Sequence, residues 1–294
     1  MPESETSPQS RVNKWALVTG ASGRGGAAIT RALHARGLAI VIHHTPRSLD
    51  RAVALQTELE AVRPDSTVLW SADFAADDFM VPSWLAKRGI EVLVCNASVY
   101  HASTVDDIDR AHLDIAIHVT AHAAILNALR PSMDPMANPT ALRSVVAVTD
   151  IAVDRPPKGH VSYTTAKGAL QSMMLALAND WAPWVRFNVV QPGTMPYPES
   201  WTDEERAKKI NESIPLQRLG TFEDLAGAVV YFALDATYVT GQILAVDGGR
   251  SRQLHYGALR TVIFAHAKIP EIDATRNEDV LCCAFEHRPR LSGN

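Results

Sequence analysis

The stretch that decides the fold is Trp15-Ala-Leu-Val-Thr-Gly20-Ala-Ser-Gly-Arg-Gly-Gly26, running on into Ala27-Ala-Ile-Thr-Arg-Ala-Leu-His-Ala35. A short apolar run gives way to a turn carrying Gly20, Gly23, Gly25 and Gly26, and the turn opens an alanine-rich segment with apolar residues at helical spacing. Small residues at such a turn let the chain reverse sharply and bring backbone N–H groups and a helix N-terminus against a pyrophosphate. A glycine loop alone is a weak signal. It gains specificity only between a strand and a helix of an alternating chain, and its other reading is a tight strand-to-helix turn that packs closely without a ligand.

Working outward, apolar runs rich in Val, Ile and Leu stand at 15–18, 38–43, 67–70, 92–95, 144–148, 185–190 and 243–246. Segments of helical periodicity fall between them at 26–36, 49–62, 108–129, 162–181, 203–213 and 221–234. Near-continuous apolar strands alternating with helices predict an α/β fold, a doubly wound parallel sheet covered on both faces. The body spans 15–251 as a single domain, preceded by a polar tail at 1–14. A C-terminal extension at 252–294 has apolar runs at 262–265 and 280–285, which predict docking on the body or on a neighbouring subunit.

The chain of 294 residues is 47% hydrophobic and carries a formal net charge of -4. That is enough apolar content for one large core, and the charge offers no attraction to nucleic acid or to an anionic membrane. Three cysteines, Cys95, Cys282 and Cys283, form no CxxC and no zinc-spaced cluster, so no metal is expected and the setting is a reducing one. With no secretory segment and no long apolar span, the expectation is a cytoplasmic protein acting on a small molecule.

NAD-preferring sites usually place Asp or Glu at the end of the second strand, where it binds the ribose 2′-hydroxyl. Here that stretch is His43-His44-Thr45-Pro46-Arg47-Ser48, with no acid before Asp50. His43, Arg47 and Ser48 could bind a 2′-phosphate through charge-assisted bonds, which favours NADP(H). Asp73, after the third strand, reads as an acceptor for the adenine amino group or as a helix cap. Asn96-Ala97-Ser98 follows the fourth strand at the carboxyl edge of the sheet, where ligands bind in open α/β folds; its Asn reads also as a tie between backbone segments.

Tyr163-Thr-Thr-Ala-Lys167 starts a long helix, and the spacing of four puts phenol and ammonium on one face. A neighbouring cation favours phenolate, so the sequence predicts a lowered Tyr163 pKa and proton exchange near neutrality.

With these residues in hand, the chain resembles the short-chain dehydrogenase/reductase family over nearly all of 15–251. The resemblance rests on the Thr19-Gly20 loop, Asn96-Ala97-Ser98, Tyr163 with Lys167, Gln191-Pro192-Gly193, and Thr240-Gly241 followed by Val246-Asp247-Gly248-Gly249. It implies a Rossmann-type seven-stranded parallel sheet and hydride transfer from a nicotinamide. The implied cofactor residues are Gly20, Ser22, Arg24, Gly25, Gly26, Asn96, Ala97, Ser98, Tyr163, Lys167, Pro192 and Gly193. It further implies a lid after Pro192-Gly193, within which Tyr197 and Trp201 stand, and a homo-tetramer or dimer.

Thirteen residues before Tyr163 the family usually carries a serine that bonds the substrate carbonyl; this sequence has Asp150. Together with Arg24 in the glycine loop, Asn96-Ala-Ser-Val-Tyr100, the 43–48 stretch, Tyr163-Thr-Thr-Ala-Lys-Gly-Ala-Leu170 and Ile214-Pro-Leu-Gln-Arg218, it resembles the pteridine reductase branch. The resemblance implies a pterin as substrate, lined by Arg24, Ser98, Tyr100, Asp150 and Tyr163, with Tyr100 stacking on the ring. Physically, a carboxylate beside a ketone repels the developing oxyanion, whereas ring nitrogens that must gain protons suit a carboxyl sharing a proton with Tyr163. Two positions depart from the family: His118 stands at a usual asparagine and reads as a proton relay or a satisfied core histidine, and Cys95 replaces another asparagine, where it should pack as a small hydrophobe. Two further readings stay open, a reductase of another carbonyl or imine and a non-catalytic NADP(H) sensor.

Overall fold

The computed structural model describes residues 14–133, 143–195, 202–204 and 213–252. Seven strands, β1 (Trp15–Val18), β2 (Ala39–His44), β3 (Thr67–Ser71), β4 (Ile90–Cys95), β5 (Ser144–Val148), β6 (Arg186–Pro192) and β7 (Ile243–Val246), form one sheet in the order β3-β2-β1-β4-β5-β6-β7. Every pairing is parallel. The two-residue period of a strand explains the two cores. Ala16, Val18, Ile40, Ile42, Val94 and Val146 face one, while their neighbours Leu17, Val41, Leu93 and Val145 face the other.

Helix α1 (Arg24–Ala35), α2 (Leu49–Val62) and α7 (Phe222–Val230) close the first face, with Ile29, Leu33, Leu55 and Val229 in its core. On the second face lie α3 (Ser83–Lys87), α4 (Ile108–Ile115), α5 (Ala121–Leu129) and α6 (Val161–Asp180), contributing Leu85, Ile125 and Leu170. Strand order reverses between β1 and β4, so the loops after these strands open a crevice at the carboxyl edge, and the residues of interest gather there.

Three differences from the sequence reading have local causes. α1 starts at Arg24 because Gly23, at φ -75° and ψ 163°, holds the extended conformation of a helix cap. The helix expected over 108–129 widens to a π turn at Ala116–Thr120. Helix α3, five residues long, is too short to show a helical period. The helix expected over 203–213 lies mostly outside the described residues, as do Tyr197, Trp201, the polar tail and nearly all of the C-terminal extension. Among the described residues no helix is long and apolar enough to cross a membrane.

Candidate active site

The glycine loop is built around Thr19, fully buried at the end of β1. Its Oγ1 accepts the backbone N–H groups of Asn96 and Ala97 at 2.8 and 2.9 Å, which ties the loop after β1 to the loop after β4. Asn96 returns the tie, its Nδ2 donating to the carbonyls of Thr19 (2.9 Å) and Gly20 (3.3 Å). Of the two tasks open to Asn96 in the sequence, the structure shows the backbone tie. Two glycines are obligatory. Gly20 sits at φ +63° with the Ala97 Cα 3.0 Å from where a Cβ would stand, and at Gly26 a Cβ would lie 2.1 Å from the Gly20 carbonyl oxygen. The α1 cap, Gly23, has no side chain and so makes no side-chain capping bond to the first turn of the helix.

Beside it, Ser22 Oγ donates to Ser48 Oγ (3.0 Å) and Ser48 Oγ to the Thr45 carbonyl (3.1 Å), so a phosphate would have to redirect two hydroxyls now bonded to the chain. Arg47 and Arg24 are exposed, and the Arg24 guanidinium lies 5.3 Å above the Phe222 ring. His43 needs a correction. It is buried, its Nδ1 accepts the Gly20 N–H at 2.9 Å, its Nε2 bonds to the Ala72 carbonyl at 3.2 Å, and its ring stacks on Phe74 at 4.2 Å. Burial pulls its pKa down to about 3, so it is a neutral prop for the glycine turn with neither ring nitrogen left for a 2′-phosphate. Asp73 is exposed and its Oδ1 accepts the Ala75 N–H at 3.0 Å in a local turn; no helix starts there for it to cap.

At the chemical centre, Tyr163 in the first turn of α6 is 4% exposed and donates its hydroxyl to Asp150 Oδ2 at 2.8 Å. The other carboxylate oxygen, Oδ1, accepts the Ala152 N–H at 2.7 Å, which caps the turn after β5 and fixes the carboxylate's direction. One helical turn on, Lys167 is 2% exposed; its Nζ donates to the Val148 carbonyl at 2.8 Å and lies 5.9 Å from the Tyr163 ring centre. Burial brings its pKa down to about 8, opposed by the charge of Asp150. The expected lowering of the Tyr163 pKa is reversed: burial, then the adjacent Asp150, raise it. Desolvation and a carboxylate in contact outweigh an ammonium committed to a carbonyl, so Tyr163 is held as a neutral phenol.

Tyr100 and Ser98 stand on the loop after β4. The Tyr100 ring is 57% exposed, stacks on His160 at 4.4 Å and meets Tyr163 edge-on at 4.8 Å, forming an aromatic wall beside the phenol. Pro192 ends β6, and the N–H of Gly193 donates to the Val246 carbonyl at 2.9 Å, closing the other side of the carboxyl edge. Cys95 is fully buried, and burial pushes its thiol pKa up, in line with an apolar packing role.

Behind this wall is a polar network that no sequence motif announced. His118, on the π turn, is fully buried; its Nδ1 lies 2.8 Å from the Asp114 carbonyl and its Nε2 2.9 Å from Ser98 Oγ. His122 repeats the pattern, Nδ1 on the His118 carbonyl (2.9 Å) and Nε2 on Thr19 Oγ1 (3.0 Å). Each imidazole thus occupies a carbonyl that an α-helix offers to its own N–H, and here the helix widens. Burial takes His118 to about 3 and His122 to about 4, so both are neutral; of its two readings, His118 is the satisfied core histidine. Buried Asp114 takes the Ser162 hydroxyl on Oδ2 at 2.6 Å, and Ser162 also bonds Ser103 at 2.8 Å, which anchors the start of α6 next to Tyr163. The available signal was Asp114-x3-His118-x3-His122, three polar residues one turn apart on the buried face of a helix.

With this geometry in view, comparison with known proteins adds identity. A family model described as Enoyl-(Acyl carrier protein) reductase matches residues 20–251. The chain is 31% identical over 246 residues to "Uncharacterized oxidoreductase YmfI" of Bacillus subtilis, covering 81% of this chain and 99% of that protein. It is also 31% identical over 252 residues to human "Dehydrogenase/reductase SDR family member 4", covering 82% of this chain and 89% of the relative. Among solved structures, the FolM alternative dihydrofolate reductase 1 of Brucella canis in complex with NADP superposes with a TM-score of 0.74 at 26% identity, covering 85% of this chain and 98% of that one.

Proposed function

The chain belongs to the short-chain dehydrogenase/reductase family, and from that premise we propose that it is an NADPH-dependent reductase of a C=N bond in a pterin, either a dihydropterin or an oxidised pterin. The observation that carries this reading is the 2.8 Å bond from the Tyr163 hydroxyl to Asp150. A ketone gathers negative charge on oxygen as it is reduced, and a carboxylate in contact with the proton donor opposes that charge. An imine nitrogen is far more basic and takes a proton readily from a carboxyl–phenol couple.

The residues present fit the cofactor. The close glycine turn, in which a Cβ at Gly26 would strike the Gly20 carbonyl, and the start of α1, whose Gly23 cap has no side chain, suit a pyrophosphate. Exposed Arg47, with Ser22 and Ser48 beside it and no acid before Asp50, suits a 2′-phosphate. Lys167, one helical turn beyond Tyr163, would bond a ribose hydroxyl alongside its bond to the Val148 carbonyl. When bound, NADPH supplies the hydride that enters the carbon of the C=N bond.

The chain's own residues then manage the proton. Tyr163 passes its hydroxyl proton to the substrate nitrogen, and the half-exposed Asp150 carboxylate, in contact with Oη, relays a replacement proton from water, so no phenolate is left against it. One hydride and one proton add across C=N to give CH–NH. The solved neighbours support the reading at the level of substrate and cofactor, being alternative dihydrofolate reductases in complex with NADP. A substrate panel followed by NADPH absorbance tests it. Oxidation with dihydrobiopterin, dihydromonapterin or dihydrofolate that Tyr163→Phe abolishes is the expected result; turnover of ketones or sugars alone overturns it.

A further inference from the structure

We infer that His118 is a positioning residue that fixes the Ser98 hydroxyl as a hydrogen-bond acceptor toward the ligand, so that the site selects a heterocycle turning an N–H donor edge to Ser98. The inference deepens the proposed pterin reduction, and it rests on that reading for where the ligand lies.

The argument is one of proton accounting along a short chain of contacts. The Asp114 carbonyl can only accept, so at 2.8 Å the Nδ1 of His118 must carry the proton. His118 is fully buried and neutral, which leaves its Nε2 with a lone pair and no hydrogen. At 2.9 Å from that lone pair, Ser98 Oγ must be the donor. A serine has one proton, and because this contact is much shorter than the 3.4 Å from Ser98 Oγ to the Val99 carbonyl, that proton is committed inward.

Ser98 itself is exposed and lies beside the Tyr163 hydroxyl. A free serine there could turn its proton toward the phenol oxygen and favour phenolate. With the proton held by His118, only lone pairs face outward. Tyr163 Oη, whose proton goes to the reacting nitrogen, takes no part in this selection. At Ser98 a carbonyl or hydroxylate edge finds no donor, whereas a ring amino group or ring N–H finds a partner. The π turn at Ala116–Thr120 carries His118 and lets its side chain reach the Asp114 carbonyl that sets its tautomer.

The test uses the full chain saturated with NADP and a matched pair of probes, 2,4-diaminopteridine and 2,4-dioxopteridine, with dissociation constants from calorimetry. One neutral hydrogen bond lost against an unpaired buried group is worth about a factor of ten. Wild type is expected to favour the diamino probe by about tenfold or more, and His118→Phe to lose about that factor while the dioxo probe tightens. Ser98→Ala, a change at an exposed position, should lose the same preference, and it keeps the test decisive if His118→Phe does not fold. Nitrogen chemical shifts of His118 should report a proton on Nδ1 and none on Nε2. A proton on Nε2, or an unchanged probe ratio in folded His118→Phe or Ser98→Ala, overturns the inference. Failure of the pterin reading looks different: the probe ratio responds as expected while no pterin is turned over.

Discussion

Replacing Asp150 with serine separates the proposed chemistry from ordinary carbonyl reduction. The substitution removes the carboxylate that accepts the Tyr163 hydroxyl at 2.8 Å beside a phenol only 4% exposed. A positioned acid contributes roughly 10²–10⁴ in rate, or about 3–5 kcal/mol of barrier, so kcat for a dihydropterin should fall by that range. Stability should change little. Asp150 also caps the following turn through Ala152, and serine is an equally good cap, so the cost should stay under about 1 kcal/mol. The Tyr163 pKa should drop, because the charge and hydrogen bond of Asp150 that help to raise it are gone, and any ketone activity should rise as the repulsion of an oxyanion is relieved. The assay is steady-state NADPH oxidation with a dihydropterin and with a ketone, alongside a thermal melt. If Asp150→Ser keeps wild-type pterin turnover with an unchanged melt, the proton-couple reasoning is wrong.

Gly26→Ala places a methyl group 2.1 Å from the Gly20 carbonyl and 2.9 Å from the Ala21 Cα, both backbone, so it should cost about 1–3 kcal/mol and abolish cofactor binding, as read by a melt and by NADPH fluorescence titration. Arg47→Glu should weaken NADPH by roughly 10–100-fold and leave NADH almost unchanged, as a ratio of KM values shows; equal losses for both cofactors would remove Arg47 from the 2′-phosphate. Acid should unfold the protein through its histidines. His43, His118 and His122 are buried and neutral, with pKa values near 3, 3 and 4, so as pH falls below 6.5 the unfolded chain binds protons that the folded chain refuses. Each contributes about 1.4 kcal/mol per pH unit, so stability should fall by roughly 4 kcal/mol per unit between about pH 6 and 4.5. Urea midpoints measured across this range check it, and a flat profile from pH 7 to 5 would contradict it; His122→Asn should remove about a third of the slope.

Much of the fold is legible because its signals are local. Apolar runs define β1, β5 and β7 to the residue, and the alternation of Leu17 and Val41 with Ala16, Val18, Ile40 and Ile42 across the sheet follows from strand geometry. The spacing from Tyr163 to Lys167 likewise fixes both on one face of α6. What stayed hidden depends on partners far along the chain. His43 lies close to Arg47 and Ser48 in sequence, yet its actual partners are the Gly20 N–H and the Ala72 carbonyl, supplied by two other loops. The direction of the Tyr163 shift turns on burial and on where Lys167 points, neither of which a four-residue spacing records. The Asp114, Ser162 and Ser103 cluster joins residues separated by 48 and 59 positions, and it matches no motif.

The central claim is that hydride from NADPH enters a carbon of a pterin C=N bond while the Tyr163 and Asp150 couple supplies the proton to nitrogen. Its most direct test incubates the protein with a dihydropterin and NADPH deuterated at the transferable position, then weighs the product by mass spectrometry. The account predicts a tetrahydropterin carrying one carbon-bound deuterium for each NADPH oxidised, and none in Tyr163→Phe. A pterin recovered unlabelled and unreduced, from protein that binds NADPH and reduces a ketone, would contradict it.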